Sequence, residues 1–550
     1  MTTMELDSRA ETLPLKTLDE LLNWIPELAS GCPAAVSLPE RNAWSENKCQ
    51  RRTLMCHDMQ GGYLCDRFTN GCRTEPHEPY IFYHWASIHA FIYFSHNLVT
   101  IPPTGWINAA HKNGVSVFGT FITEWDDGKA IWQRLLNDEN LLTRVASLLV
   151  QIADYYGFEG WLINIENSIE PENVDQVVNF LRLLHQRSRL VCHRPQKPLS
   201  VIWYDSITIK GSLKWQNCLN EENMKFFHVV DGIFLNYNWS LSDLAKAKKT
   251  ATPYRKYDVF VGVDVFGRGC YGGGGWNTNL ALEVINDHDM SVALFAPGWV
   301  LECNEKDKFF DNQNKFWDTI APFLPQHKIY SLPLHTTFCA GYGHCRHRAG
   351  QKDNGMAEGD GMWVNLSEQG LQPLWSNGEC HSDNCYRMRL CHQDSWHGSS
   401  SLEILFPPKS DQECVLFACA APLQSSLLVE VTAKLPFDGN NQFALILSIR
   451  KRLVTRKIRL HLSEQNAAVN DCSPCTVYPT AIARTASSAD DWWTFRYDVD
   501  DIVTASTVLE NVSFLVSTTS EHAVRLLLGE LKIQAGIRLP ALSVPVATGT

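Results

Sequence analysis

The segment Gly160-Trp161-Leu162-Ile163-Asn164-Ile165-Glu166-Asn167 sets an amide and a carboxyl group two residues apart at the end of an apolar run. Side chains alternate along a strand, so Asn164 and Glu166 share one face and Ile165 takes the other. If Ile165 packs on helices, both polar groups enter the space beyond the strand end. Burial there raises the pKa of Glu166 and keeps it partly protonated near neutral pH. A general acid that protonates a leaving oxygen in glycoside cleavage needs that state. On a GlcNAc glycoside the substrate's own 2-acetamido oxygen can attack the anomeric carbon, a departure from the usual two-carboxylate scheme. Asn164 is placed to hold the acetamide nitrogen. Tyr204, ending the next apolar run, is placed to donate to the acetamide oxygen or to the oxazolinium.

Other apolar runs end in groups of the same kind: Thr123-Glu124-Trp125-Asp126, Trp203-Tyr204-Asp205, Asn236-Tyr237-Asn238-Trp239, Asp264 and Pro297-Gly298-Trp299. Aromatic faces stack on sugar rings, while carboxylates and amides bind hydroxyls, so the set reads as a carbohydrate cleft. Glu124 and Asp126 compete for the role of a second catalytic carboxylate. Asp205 and Asp264 read as hydroxyl ligands or strand-end hydrogen bonders, and Trp161 as packing. Glu170, ahead of Pro171, reads as a helix N-terminal carboxylate. The histidines, His89, His96 and His111 among them, read as structural. Asn164 and Glu166 as ordinary polar groups at a rim is the competing reading.

These groups need a scaffold that gathers strand ends. From about Tyr80 the runs Phe91–Phe94, Val115–Ile122, Phe158–Ile165, Leu199–Tyr204, Gly232–Tyr237, Val259–Val265 and Val292–Ala296 alternate with stretches of helical period. One stretch carries Leu141, Val145, Leu148, Leu149 and Ile152; the next, opening at Pro171, carries Val174, Val177, Val178, Leu181 and Leu184. Continuous apolar strands separated by helices indicate a parallel sheet, and seven or eight units suit a closed (β/α)8 TIM barrel. Active sites of such barrels lie at the C-terminal strand ends. An open doubly wound sheet is the alternative, but no GxGxxG follows the first strand. The Gly272–Gly275 run lacks the Lys-Ser/Thr of a phosphate loop. After about residue 375 short alternating segments (Leu402–Leu405, Leu427–Val431, Phe443–Ile449, Val512–Val516) read as one or two β-sandwich domains. The expected organisation is residues 1–75 as an irregular lead-in with a short amphipathic helix near Leu18–Leu28, 76–375 as the barrel and 376–550 as the sandwich.

A chain of 550 residues with 45% hydrophobic and 20% charged residues is globular and too long for one core. The net charge of -12 argues against polyanionic partners such as nucleic acid; the basic stretch Arg450–Lys457 reads as a solvated strand face. The first residues lack the apolar core of a secretory signal, and no apolar run is long enough to span a membrane, so a cytosolic protein is expected. A glycan on the Asn238-Trp239-Ser240 sequon would block the cleft, which agrees with that compartment. The 18 cysteines read as buried free thiols. Cys49, Cys56, Cys65, Cys72 and the pair Cys472 and Cys475 lack zinc-ribbon spacing and are weak zinc signals.

Together with Thr100-Ile101-Pro102-Pro103, Gly119-Thr120-Phe121-Ile122, Tyr93-Phe94-Ser95-His96, Gly262-Val263-Asp264-Val265-Phe266 and Cys56-His57-Asp58-Met59, these motifs resemble glycoside hydrolase family 85 over about residues 53–400. The tail from Ser395-Trp396-His397-Gly398 resembles the family's accessory sandwich domains. The resemblance implies hydrolysis of the GlcNAcβ1-4GlcNAc core of high-mannose N-glycans, leaving one GlcNAc on the peptide or protein. It implies retention through an oxazolinium, some transfer to sugar acceptors, and neither metal nor cofactor. Carried over, Glu166 is the acid/base, Asn164 orients the acetamide and Tyr204 assists. Trp125, Tyr237, Trp239 and Trp299 are cleft walls; from their strand-end places, Glu124, Asp205, Asn236 and Asp264 are expected to bind substrate. The loop with Cys270 and the glycine run is unusual. A catalytically silent glycan-binding barrel and a two-carboxylate glycosidase using Glu124 or Asp126 with Glu166 stand as alternatives.

Overall fold

The computed structural model describes residues 10–39, 50–73, 80–190, 199–353, 362–375, 384–463, 475–485, 492–499 and 507–536. Eight parallel strands close on themselves: β1 (Thr53–His57), β2 (Ala90–Tyr93), β3 (Ser116–Glu124), β4 (Gly160–Glu166), β5 (Ser200–Tyr204), β6 (Gly232–Leu235), β7 (Val259–Asp264) and β8 (Ser291–Phe295). Each pairs with its neighbour in sequence, and β1 pairs with β8 to complete the ring. The expected TIM barrel is present, and its strand ends fall within a few residues of the apolar runs.

One strand lies where the sequence pattern shows none. β1 sits inside the stretch read as irregular. It has only five residues, follows Arg51-Arg52, and is joined to β2 by a connection whose described part holds no α-helix, only 3-10 turns at Cys65–Arg67 and Trp85–Ser87 and a two-residue strand, Cys72–Arg73, paired with Trp363–Val364. With no helix beyond it, the strand–helix alternation that marks the other seven is missing. Arg52, fully buried at its base, is held there by Asp258 at 2.6 Å.

Strand alternation divides the barrel residues into two cores. Leu54, Ile92, Phe118, Leu162, Ile202, Phe234 and Phe260 fill the interior. Met55, Phe91, Val117, Ile163, Ile165, Val201 and Val261 face outward into the layer of helices. The helix α1 (Glu139–Tyr156) shows how that layer is coded. Asp138 caps it by accepting from the Asn140 and Leu141 N–H groups, and Gly157 ends it at φ 91°, the left-handed conformation that glycine adopts freely. Its buried stripe of Leu142, Val145, Leu149 and Ile152 packs under β4, where the Trp161 indole donates to the Leu149 carbonyl at 3.0 Å. Glycines allow the strands to approach: a Cβ on Gly160 would stand 2.3 Å from the Ser200 carbonyl oxygen.

Beyond the barrel, two sheets, antiparallel but for one short parallel edge pair, share one hydrophobic core, forming a β-sandwich. One sheet contains β9 (Arg387–Cys391), β10 (Ser401–Phe406), β12 (Leu427–Lys434), β15 (Ala481–Arg484), β16 (Trp493–Val499) and β18 (Val524–Ala535). The other contains β11 (Asp411–Leu423), β13 (Asn441–Lys451), β14 (Val454–Leu462) and β17 (Thr507–Thr518). The strand Leu334–Thr336, which follows the barrel, pairs with β18 and ties the two units together.

The described cysteines are free thiols from Cys32 to Cys475, except Cys385, which is disulfide-bonded and corrects the all-thiol reading. Cys385 lies just ahead of β9, where the sequence gives no sign of pairing. Cys49 and Cys472 lie outside the described residues. Among those described, no group of three His, Cys, Asp or Glu is arranged to hold a metal, and no helix is long and apolar enough to cross a membrane.

Candidate active site

A cavity of about 420 Å³ opens at the C-terminal ends of the barrel strands, floored by Leu162, Phe234 and Phe295. Asn164 and Glu166 both line it, because Ile165 between them is packed among the helices. Glu166 lies in register with Glu124 on β3, as Asn164 does with Ile122. Burial raises the Glu166 pKa and the charge of Glu124 adds to the effect; hydrogen bonds from the Trp215 indole and the Asn164 amide, together with His96, oppose it. Burial favours the neutral acid while the donors favour the carboxylate, so both protonation states have support.

Asn164 is 4% exposed, and its Oδ1 is buried with no hydrogen-bond partner. A buried carbonyl oxygen without a donor is unfavourable by about 1–3 kcal/mol, unless a ligand supplies the donor. Tyr204 enters from β5 with its hydroxyl donating to Asn236 Oδ1 at 2.8 Å, and the Asn236 amide donates to Asn217 Oδ1 at 2.6 Å. Burial and the charge of Glu166 raise the Tyr204 pKa, so its hydroxyl stays protonated as a donor. The Tyr237 ring lies 6.3 Å from that of Tyr204 and 5.4 Å from Phe295, forming one wall.

Asp264, 1% exposed, receives the Phe266 N–H at 3.0 Å and pairs through Arg268 Nε at 2.7 Å. Arg268 also lies above the Phe295 ring and lines the cavity. Asp205 is buried below the opening. It accepts from the Gln216 and Asn217 N–H groups at 3.0 and 2.7 Å and from the Asn223 amide at 2.9 Å. Burial pushes its pKa up to about 7 against those donors. Its place is beneath the loop that presents Trp215 and Asn217, rather than in the cavity lining.

The cavity thus gathers Glu166, Asn164, Tyr204, Asn236, Tyr237 and Asp264, with Glu124 beside them through its contact with His96. The tryptophans expected as walls are distributed otherwise. Trp125 is 67% exposed at the end of β3 and holds φ 51°, a left-handed conformation unfavourable for a bulky residue. Trp239 is buried, its indole donating to the Gly262 carbonyl at 2.8 Å and its ring stacked on Tyr271, so it is packing rather than wall. Trp299 does not line the cavity and packs edge-on to Trp276. Strand-end position located all three tryptophans, but side-chain direction after the last paired residue is set by loop contacts that the sequence pattern does not encode.

Four cavity residues escaped the pattern reading: Asp58, Trp215, His96 and Arg268. His96, read as structural, stands 3.1 Å from both Glu124 oxygens, and hydrogen bonding to Glu124 raises its pKa. His89 and His111 are buried away from the cavity, His111 against Glu159 at 2.9 Å, and they remain structural. The length of the connection after β5, with a tryptophan in it, was the available signal for Trp215.

A sequence model described as glycosyl hydrolase family 85 matches residues 63–346. The chain is 44% identical over 478 residues to the cytosolic endo-beta-N-acetylglucosaminidase of Homo sapiens, covering 86% of this chain and 63% of that protein. It is 44% identical over 428 residues to the protein of the same name in Danio rerio, covering 77% and 58%. It is also 42% identical over 334 residues to cytosolic endo-beta-N-acetylglucosaminidase 2 of Arabidopsis thaliana, covering 60% and 46%. This chain therefore spans less than two thirds of the length of these relatives. The glycoside hydrolase domain of Endo-D from Streptococcus pneumoniae R6 superposes with a TM-score of 0.75 at 19% identity, over 96% of this chain and 84% of that one, showing a shared fold.

Proposed function

The chain belongs to glycosyl hydrolase family 85, and from that premise we propose that it is an endo-β-N-acetylglucosaminidase acting on the GlcNAcβ1-4GlcNAc core of high-mannose N-glycans. The observation that carries the mechanism is the unpartnered Asn164 Oδ1 in a cavity wall beside an acid of raised pKa. A substrate 2-acetamido N–H satisfies that acceptor. The contact turns the acetamide so that its carbonyl oxygen lies beneath the anomeric carbon, and it strengthens as positive charge develops on the nitrogen, which favours the transition state.

Glu166 protonates the glycosidic oxygen, the bond to the anomeric carbon breaks, and the acetamide oxygen forms its own bond there. The products of this step are the departing GlcNAc-peptide, bearing a hydroxyl, and an oxazolinium. Glu166, now a carboxylate, takes a proton from water as that water adds to the anomeric carbon, restoring the acetamide with retained configuration. A sugar hydroxyl in place of water gives transfer. Tyr204 donates to the acetamide oxygen once the substrate displaces its bond to Asn236. Tyr237, Asn236, Asp264 and the exposed Trp125 contact the sugar, with Trp299 farther out, and Asp205 holds the loop that carries Trp215 and Asn217.

A two-carboxylate scheme using Glu124 fits less well. Glu124 and Glu166 are neighbours on adjacent strands, on one wall rather than on opposite sides of a bound sugar ring, and Glu124 is engaged by His96. The scheme requires no metal or cofactor. The substrates proposed are N-linked oligosaccharides, glycopeptides or misfolded glycoproteins, and the compartment proposed is the cytosol, as in the names of the relatives.

Comparing Asn164→Ala with Glu166→Gln tests the scheme. With intact glycopeptide both should lose about 100-fold or more in kcat. Given a preformed sugar oxazoline, Asn164→Ala should still consume it while Glu166→Gln should not. Near-native glycopeptide turnover by Asn164→Ala would refute substrate assistance.

A further inference from the structure

The hairpin between β13 and β14 projects from the sandwich. Its last pair is Lys451 with Val454, leaving Arg452 and Leu453 as the two-residue turn. Arg452 holds φ 56°, a position in such turns that glycine fills most easily. Leu453 is 99% exposed and Val454 61%. A single exposed leucine is unremarkable by itself; its neighbours give this one meaning. Arg450, Lys451, Arg452, Arg456 and Lys457 flank it on the two strands, with Arg459 farther down the hairpin, in a chain of net charge -12. Glu510 pairs with Arg450 and Glu413 with Lys457, each at 2.6 Å. Lys451, Arg452, Arg456 and Arg459 have no ion pair among the described residues.

Charged residues on a sheet edge can serve only to prevent strand pairing. Here β14 pairs with Thr476–Val477 at Arg459 and Leu460, and among the described residues no strand pairs with the outer side of its tip half. Lysine and arginine would protect that edge, but edge protection has no use for two aliphatic side chains at the tip. We propose that this hairpin docks on an anionic lipid bilayer, its unpaired cations meeting headgroup phosphates and carboxylates while Leu453 and Val454 enter the acyl boundary. The two groups of side chains match the two layers of such a surface: charge outside, hydrocarbon beneath. Long basic side chains keep their charged ends at the headgroups while their stems follow the aliphatic tip inward. A nucleic acid would satisfy the charges but offer nothing to Leu453.

The test is co-flotation of the full chain with vesicles of phosphatidylcholine alone and with roughly a third phosphatidylserine added. Binding is expected only to the anionic vesicles, and falling steeply with salt. Leu453→Asp combined with Val454→Asp should weaken it about tenfold or more. Arg452→Glu combined with Arg456→Glu should weaken it about 100-fold. Both variants should melt as the parent does and cleave soluble glycopeptide at the parent rate, which separates this docking from the catalytic reading. Failure to float with anionic vesicles would overturn the proposal. So would flotation unchanged in the Leu453/Val454 variant, or an oligonucleotide bound more tightly than the vesicles and lost only in the arginine variant.

Discussion

Five described histidines, His57, His84, His89, His327 and His392, are buried and held neutral by desolvation. Burial pushes His57 and His84 down to about 3, and His327 and His392 down to about 4. His57 shows why: its ring lies between those of Tyr80, Phe91 and Trp106, at 5.0–5.3 Å, and its Nδ1 has no partner. An unfolded histidine takes up its proton near pH 6.5, so below that pH the unfolded chain binds more protons than the folded one. Stability is therefore full above about pH 6.5 and is lost as pH falls toward 4. Between about pH 7 and 5 each of His57, His84, His327 and His392 removes about 2 kcal/mol at about 1.36 kcal/mol per pH unit, or about 8 kcal/mol for the four. Asp205 works in the opposite direction. Its pKa, pushed up to about 7, lets the folded chain bind that proton first, which returns about 2 kcal/mol over the same interval. For these four histidines and Asp205 the loss is about 6 kcal/mol; His89, lowered by burial, adds to it, while Asp58, Asp66 and Glu166, raised by burial, subtract from it. Urea unfolding followed by tryptophan fluorescence at about pH 7 and pH 5 measures it. His57→Phe, which fills the same space without a titrating group, should shrink the difference by about 2 kcal/mol. A difference untouched by His57→Phe would refute the reasoning.

Other perturbations follow from named contacts. Glu124→Gln removes a charge that raises the Glu166 pKa. The general acid should then deprotonate at lower pH, moving the alkaline limb of the kcat/KM profile to lower pH; a limb that stays in place would detach Glu124 from the acid. Asp205→Ala frees two backbone N–H groups and the Asn223 amide. It should lower kcat by about 10–100-fold through misplacement of the Trp215 loop, with an altered Trp215 fluorescence that a purely global loss of stability would not give. Gly160→Ala puts a Cβ 2.3 Å from the Ser200 carbonyl oxygen, a backbone atom that cannot step aside, so the midpoint in urea should drop by the equivalent of about 1–3 kcal/mol or more.

The barrel was legible because seven of its strands are continuous apolar runs separated by stretches of helical period. β1 was not, since nothing in a five-residue segment between charged residues distinguishes it from a loop until the ring around it closes. In the site, strand alternation alone placed Asn164 and Glu166 together, because Ile165 between them has a helix layer to bury it. The same rule stops at the last paired residue. It located Trp239 and Trp299 at strand ends yet could not tell that the Gly262 carbonyl and Trp276 would draw their rings away from the cavity. His96 and Trp215 come from connections whose length is visible in sequence but whose path is not. His96 acquires its place only through a carboxylate 28 residues away.

The most direct test of the central claim is mass spectrometry of a high-mannose glycopeptide incubated with the purified chain. The expected products are a peptide carrying a single GlcNAc and a released oligosaccharide ending in the other. Release of the whole glycan from its asparagine, trimming from the mannose end, or an intact glycopeptide in a preparation shown to be folded would contradict it.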